Sequence, residues 1–210
     1  MLGPLVDAWR LSADLHRLRS GASESELAAA EDALGRPLPE PVRALYRLTD
    51  GASFLDGNLN VYPLQAETLG LVGASDWLRS VRWTIAEELV VLGDNGSDDS
   101  FGIWLARRPS SDDPGPVIQI AEVGHGYAVA GTGFVSFLTW WTAYYLLLYD
   151  VGRDALRALG IPERLWGANP DEELVDELTQ WADPELPDPV PDPYGRPTDV
   201  EALRARFGSR

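Results

Sequence analysis

Two histidines, 33 carboxylates and no cysteine bound the chemistry open to this 210-residue chain. Without cysteine there is no thiol nucleophile, no thiolate metal ligand and no disulfide. All 17 basic residues are arginine, which removes a Schiff-base lysine, a lysine base and a Walker-type phosphate loop. His125 has the more suggestive surroundings. It stands in Gly124-His125-Gly126, three residues after Glu122, where an imidazole and a carboxylate could share a proton or a metal ion. No second or third ligand follows at a recognisable spacing, so a β-turn with a tolerated polar residue is the plainer reading. His16 falls in a first amphipathic helix and is expected on its surface. Asp94, Asn95, Asp98 and Asp99 resemble a calcium loop, but the spacing is not that of an EF-hand, and Leu105 stands where its bidentate glutamate belongs. As turn formers these residues need no ion. There is no Gly-x-Ser-x-Gly elbow, and Gly124-x-Gly126 lacks the later glycine of a dinucleotide site. The expectation is a chain that is not an enzyme, with no catalytic residues, no metal and no cofactor. A hydrolase using His125 is the alternative of another class.

Binding by surface remains. The net charge of −16 repels nucleic acid and anionic lipid and favours a basic protein partner; solubility alone is the competing explanation. Seven of the tryptophans, at positions 77, 83, 104, 140, 141, 166 and 181, are expected mostly in the core. Trp104 is singled out. It lies on a strand returning from the acidic turn, and two-residue alternation sets it opposite Phe101, Ile103 and Leu105. If those three face inward, Trp104 faces out beside Asp98 and Asp99. Asp94, Asp98, Asp99 and Trp104 are therefore the expected partner-binding patch, suited to an Arg/Lys-rich protein. Coverage of Trp104 by the C-terminal extension is an equal alternative.

The elements that position these residues begin at Ser23. Ser23 and Glu26 form a capping box, and Leu27, Ala30 and Leu34 make one apolar stripe that ends at Gly35 and Pro37. Pro39 or Pro41 fits the first turn of a second helix with Val42, Leu45 and Tyr46 inward, closed by Asp50-Gly51. Strand patterns follow at 59–62, 89–92, 101–105 and 117–123, with helical character over 64–80 and Ser75 as its cap. Phe134 to Tyr149 is apolar throughout, but 16 residues are too few to span a bilayer, which needs about 20. It reads as a buried helix with Phe137, Leu138, Trp141, Tyr145 and Leu148 on its inner stripe. At the start of the chain, Ala8, Leu11, Leu15 and Leu18 suggest an amphipathic helix and not a signal peptide.

This order of an acid-rich helix, a Gly-x-Pro-Leu-Pro corner, a second helix and a closing Gly resembles the N-terminal signature of the SUKH superfamily, the Smi/Knr group. Glu31, Leu34, Gly35, Leu38, Pro39, Leu45, Tyr46 and Gly51 carry the resemblance. The strand, Gly-Asp turn and returning strand over 89–105, and Pro116-Val117 leading to Phe134–Leu138, extend it to about residues 23–149. The resemblance implies an α+β fold: a small antiparallel or mixed sheet flanked by N-terminal and C-terminal helices. It also implies a non-catalytic protein-binding module. That module would be an immunity protein that neutralises a cognate toxin, often a nuclease, of a bacterial polymorphic toxin system, or a scaffold of the cell-wall-regulator type. A domain over 1–166 and an extension over 167–210 are expected. The extension holds a helix with Leu174, Val175, Leu178 and Trp181 inward, then a strap with six prolines between Pro184 and Pro197. A last capped helix would present Val200, Leu203 and Phe207. A cytoplasmic setting with no membrane and no nucleic acid is expected, and the number of copies is left open.

Overall fold

Ser23 opens its helix as the capping box requires: its Oγ accepts from the Glu26 N–H at 3.3 Å, and its own N–H donates to the Glu26 carboxylate at 2.7 Å. These contacts come from a computed structural model that describes residues 2–66, 69–81, 85–97, 99–105, 115–121, 126–167, 172–186 and 205. The helix, α2 (Glu24–Leu34), buries Leu27, Ala30 and Leu34 and stops at Gly35, whose φ of +71° is the left-handed conformation that glycine adopts without strain. Helix α3 (Glu40–Leu48) follows the corner with Pro41 in its first turn and Val42, Leu45 and Tyr46 fully inside. Before them, α1 (Gly3–Leu11) carries Leu5, Ala8 and Trp9 into the core.

Among the described residues, seven strands form one sheet in sequence order, every neighbouring pair antiparallel. They are β1 (Arg17–Leu18), β2 (Ala52–Phe54), β3 (Leu59–Val61), β4 (Leu89–Asp94), β5 (Asp99–Trp104), β6 (Val117–Ala121) and β7 (Gly126–Gly131). Helix α4 (Leu71–Ser80) joins β3 to β4. After the sheet come α5 (Phe134–Leu148), α6 (Arg153–Leu159) and α7 (Glu172–Ala182). The α+β class and the antiparallel sheet agree with the sequence reading.

The sheet is covered on both faces. One core contains Val90, Leu92, Phe101 and Ile103 with residues of α1, α2, α3, α5 and α6. Phe101 meets Phe137 of α5 with ring centroids 5.0 Å apart. The other core contains Leu89, Val91, Trp104, Ile118, Ile120, Tyr127 and Val129, packed with Ala74 and Leu78 of α4. An antiparallel sheet needs only one dry face to fold; here α4 dries part of the second.

Several local expectations are corrected. The first helix ends at Leu11, and the chain then turns into β1, so Leu11 and Leu18 are exposed and do not extend a buried stripe. Helix α4 begins at Leu71, and Ser75 lies inside it rather than capping it. Its Oγ donates to the Leu71 carbonyl and accepts from the Val91 N–H, tying α4 to β4. In α5 the buried residues are Phe134, Phe137, Leu138, Thr142, Ala143, Leu146 and Leu147. Trp141 and Tyr145 are only half-buried and stack on one another, while Leu148 is exposed. A helix apolar all round has no stripe for periodicity to find. Its orientation is set by small Thr142 and Ala143, with Thr142 receiving the Trp9 indole N–H at 3.1 Å.

Candidate partner-binding surface

The turn between β4 and β5 is built by its own acids. Asp94, half-buried, accepts from Asn60 Nδ2 at 2.6 Å and from the Gly96 N–H at 2.8 Å. Asp99 is only 3% exposed and accepts from Gln119 Nε2 at 2.8 Å and Asn95 Nδ2 at 3.3 Å. These carboxylates hold the hairpin, as Asp and Asn commonly do when they bond nearby backbone and amide donors. Asp98 lies outside the described residues.

Alternation assigns Trp104 to the correct face, opposite Phe101 and Ile103. The expected exposure is nevertheless corrected: Trp104 is 2% exposed. It packs in the second core with Ile85, Ala86, Leu89 and residues of α4, against which Leu186 also packs, and its indole N–H donates to Glu88 at 2.6 Å. Trp104 is therefore a buried ring and not an exposed anchor. The physical reason is the layer over the second face, built by α4, the segment entering β4 and Leu186 of the C-terminal extension, which strand alternation cannot reveal.

Among the described residues, the exposed tryptophan is Trp77. It stands on α4 with 50% of its surface open, near Leu69 at 45%. Between α4 and the sheet runs an apolar groove lined by Tyr62, Leu69, Trp77, Val91, Ser100 and Ile120. Ser100 pairs in register with Asp94, so the acidic turn lies at the Ser100 side of the groove. Neither Trp77 nor Leu69 was identified as a site residue from sequence. The available signal was Trp77 beside Asp76 at the edge of the stripe made by Leu71, Ala74, Ser75 and Leu78.

The groups considered for catalysis are placed differently. His16 is half-buried and not on an open helix surface. Its Nδ1 accepts from the Leu55 N–H at 3.3 Å and Nε2 contacts Ser12 Oγ at 2.9 Å, while Trp9 and Phe54 meet the ring edge-on or nearly so. Burial pulls its pKa down to about 4. Glu122 and His125 lie outside the described residues. Among the described residues no group of three or more His, Cys, Asp or Glu could hold a metal ion. No helix among them is long and apolar enough to cross a membrane.

The corner between α2 and α3 depends on Glu31. Its Oε1 accepts from the Leu38 N–H at 2.8 Å and its Oε2 from Arg43 at 2.5 Å, so one carboxylate fixes both the Gly35–Pro39 turn and the helix after it. Arg43 and Arg47 also reach Glu24 of α2, each at 2.6 Å. Tyr46, wholly buried, donates its hydroxyl to the Tyr62 carbonyl at 2.8 Å. The match to known families falls on this corner and continues into the sheet. The model of the SMI1/KNR4 family (SUKH-1) covers residues 21–140, more than half of the chain. The chain belongs to the SMI1/KNR4 family. No curated protein matches it. Within this SMI1/KNR4 domain the signature residues serve the fold: Gly35 ends α2, Glu31 and Leu38 close the corner, and Tyr46 ties α3 to the chain after β3. The family-matched segment also contains α4, so the Trp77 groove lies within it.

Proposed function

We propose that this SMI1/KNR4-family chain is a non-catalytic protein-binding module, an immunity protein that meets a basic toxin domain in the cytoplasm and covers its active site. The observation that carries this reading is the apolar groove with half-open Trp77 and Leu69 next to the acidic β4–β5 turn, on a chain of net charge −16. Aromatic side chains in partly desolvated grooves dominate binding energy, and surrounding charge sets encounter rate and specificity. In this assignment Trp77 takes the anchoring role expected of Trp104, while Asp94 contributes to the acidic rim.

A toxin domain resembling a nuclease would present cations shaped for phosphate. Carboxylates held at the rim of the groove occupy the same cations and exclude nucleic acid, with no bond made or broken. The test is the gene neighbourhood first, where an adjacent toxin gene is expected, and then co-purification and titration calorimetry with that toxin domain, together with growth rescue on co-expression; the absence of such a gene would count against the immunity reading. One-to-one binding with rescue is expected. Trp77→Ala should weaken binding by about 2 kcal/mol, mainly through faster dissociation, whereas Asp94→Asn should slow association. Rescue by catalytic turnover of the toxin, or binding unaffected by either substitution, would overturn the reading.

A further inference from the structure

The size of the groove beside Trp77 decides what kind of group can enter it. It holds about 190 Å³, less than the roughly 300–1,000 Å³ of pockets that enclose a drug-sized ligand or cofactor. There is room for one side chain of a partner. The walls are apolar at Leu69, Trp77 and Ile120, but one end is polar. Ser100 lines the groove and pairs in register with Ile120 on one side and with Asp94 on the other. Cross-strand partners share a sheet face with Cβ atoms roughly 4.5–5.5 Å apart, so the Asp94 carboxylate stands at the Ser100 end. Both donors to that carboxylate, Asn60 Nδ2 and the Gly96 N–H, meet the same oxygen, Oδ1. Among the described residues nothing donates to Asp94 Oδ2, and Ser100 Oγ has no hydrogen-bond partner.

We infer that the groove receives one arginine side chain of the partner, with its stem against Leu69, Ile120 and the Trp77 ring and its guanidinium on Asp94 Oδ2 and Ser100 Oγ. A wholly apolar side chain would cover the half-buried Oδ2 without supplying a donor, which costs free energy. Lysine would bring a compact, strongly hydrated charge. The guanidinium is planar, more weakly hydrated and presents five donors in a fixed fork. Such a plane lies against an aromatic ring and still donates to a carboxylate. The aliphatic stem of arginine covers apolar surface while its head reaches the polar end. Charge agrees as well, because a chain with 33 acids and 17 arginines attracts a cationic group. The inference rests on the groove being the partner-binding surface and adds the chemical group that it recognises.

The test uses the full chain labelled with ¹⁵N-tryptophan, in which the Trp77 indole signal is assigned by its loss in Trp77→Phe. The capped tripeptide acetyl-Gly-Arg-Gly-amide should move that signal saturably. The same peptide with citrulline, which keeps the shape of arginine without its charge, should bind at least tenfold more weakly, and lysine or leucine at that position should also bind more weakly. Asp94→Asn should remove the preference for arginine over citrulline, and Ser100→Ala should lower the affinity for arginine severalfold. The comparison of peptides on the unsubstituted chain depends on no variant folding. Equal binding of the arginine and citrulline peptides, tighter binding of the leucine peptide, or a Trp77 signal that no peptide moves would overturn the inference. No toxin enters this test. An arginine peptide that fails while the toxin domain binds strikes the arginine assignment alone, and a toxin domain that fails while the arginine peptide binds strikes the immunity reading alone.

Discussion

His16 shows how one side chain can couple separate segments. Because Nδ1 accepts from Leu55, the ring proton sits on Nε2 and is donated to Ser12 Oγ, which donates in turn to the Ala8 carbonyl at 2.8 Å. Leu55 and Asp56 both hold φ at +56°, a conformation that costs non-glycine residues energy. The His16 contact helps to keep them there. A second proton would place an N–H against the Leu55 N–H. With the folded pKa depressed to about 4 from an ordinary value of 6.5, the contribution of neutral His16 is complete above pH 6.5. It is lost as pH falls toward 4. Denaturation of the unsubstituted chain and of His16→Asn, which keeps an acceptor but does not titrate, should diverge across that window. The difference should reach about 1 kcal/mol after allowance for solvent screening of the half-buried ring. Parallel curves would show that His16 titrates normally. Trp104 gives a second expectation at this scale. As a core ring with its indole bonded to Glu88, it should cost about 3–5 kcal/mol of stability on Trp104→Ala. A melting temperature unchanged in this variant would restore the surface role expected from sequence.

At the scale of elements, α5 lacks a side-chain cap of its own: its N-cap is Gly133, which has no side chain. Asp183, just past α7, instead fixes the chain on both sides of that cap from 51 residues further along: it accepts from the Thr132 N–H before it, at 2.6 Å, and from the Ser136 hydroxyl in the first turn after it. A carboxylate at this helix end is also favoured by the helix dipole. Trp140 completes the pairing, its indole N–H donating to Thr179 Oγ1 at 3.0 Å. Asp183→Asn preserves shape but not the charge or the second acceptor. It should lower stability by about 2 kcal/mol, because Asp183 is buried and its donors would be left short of partners. A urea midpoint that falls with an unchanged slope would confirm a loss of native contacts. No shift in midpoint would mean that α7 docks through its apolar face alone, through Leu174 and Leu178.

For the whole molecule, 33 acids face 17 arginines, so ion pairing within the chain leaves a negative field at its surface. The bridges of Arg43 and Arg47 to Glu24, Glu31 and Glu40 are gathered on α2 and α3. Association with a basic toxin domain should therefore slow by roughly tenfold or more between ~0.05 and 0.5 M salt, while dissociation changes little. Stopped-flow mixing at several salt concentrations measures both. An association rate independent of salt would mean that the acidic excess serves solubility and not encounter.

The sequence by itself determined the features whose causes are local. The Ser23–Glu26 box, the glycine stop at Gly35, the inward Val42, Leu45 and Tyr46, and the two strands flanking the acidic turn depend on residues within a few positions of one another. The same locality placed Trp104 on its correct face. Tertiary structure decided what covers that face, because the cover comes from α4, the segment entering β4 and Leu186, and no spacing within β5 records where other elements pack. It likewise decided that α5 turns Thr142 and Ala143 inward, that Ser75 links helix to strand, and that β1, β2 and β7 join the sheet, although none of the three shows a strand pattern of its own in the sequence. The exposed site moved from Trp104 to Trp77 for the same reason: alternation fixes which side a residue takes, and only packing between layers fixes which side remains open to a partner.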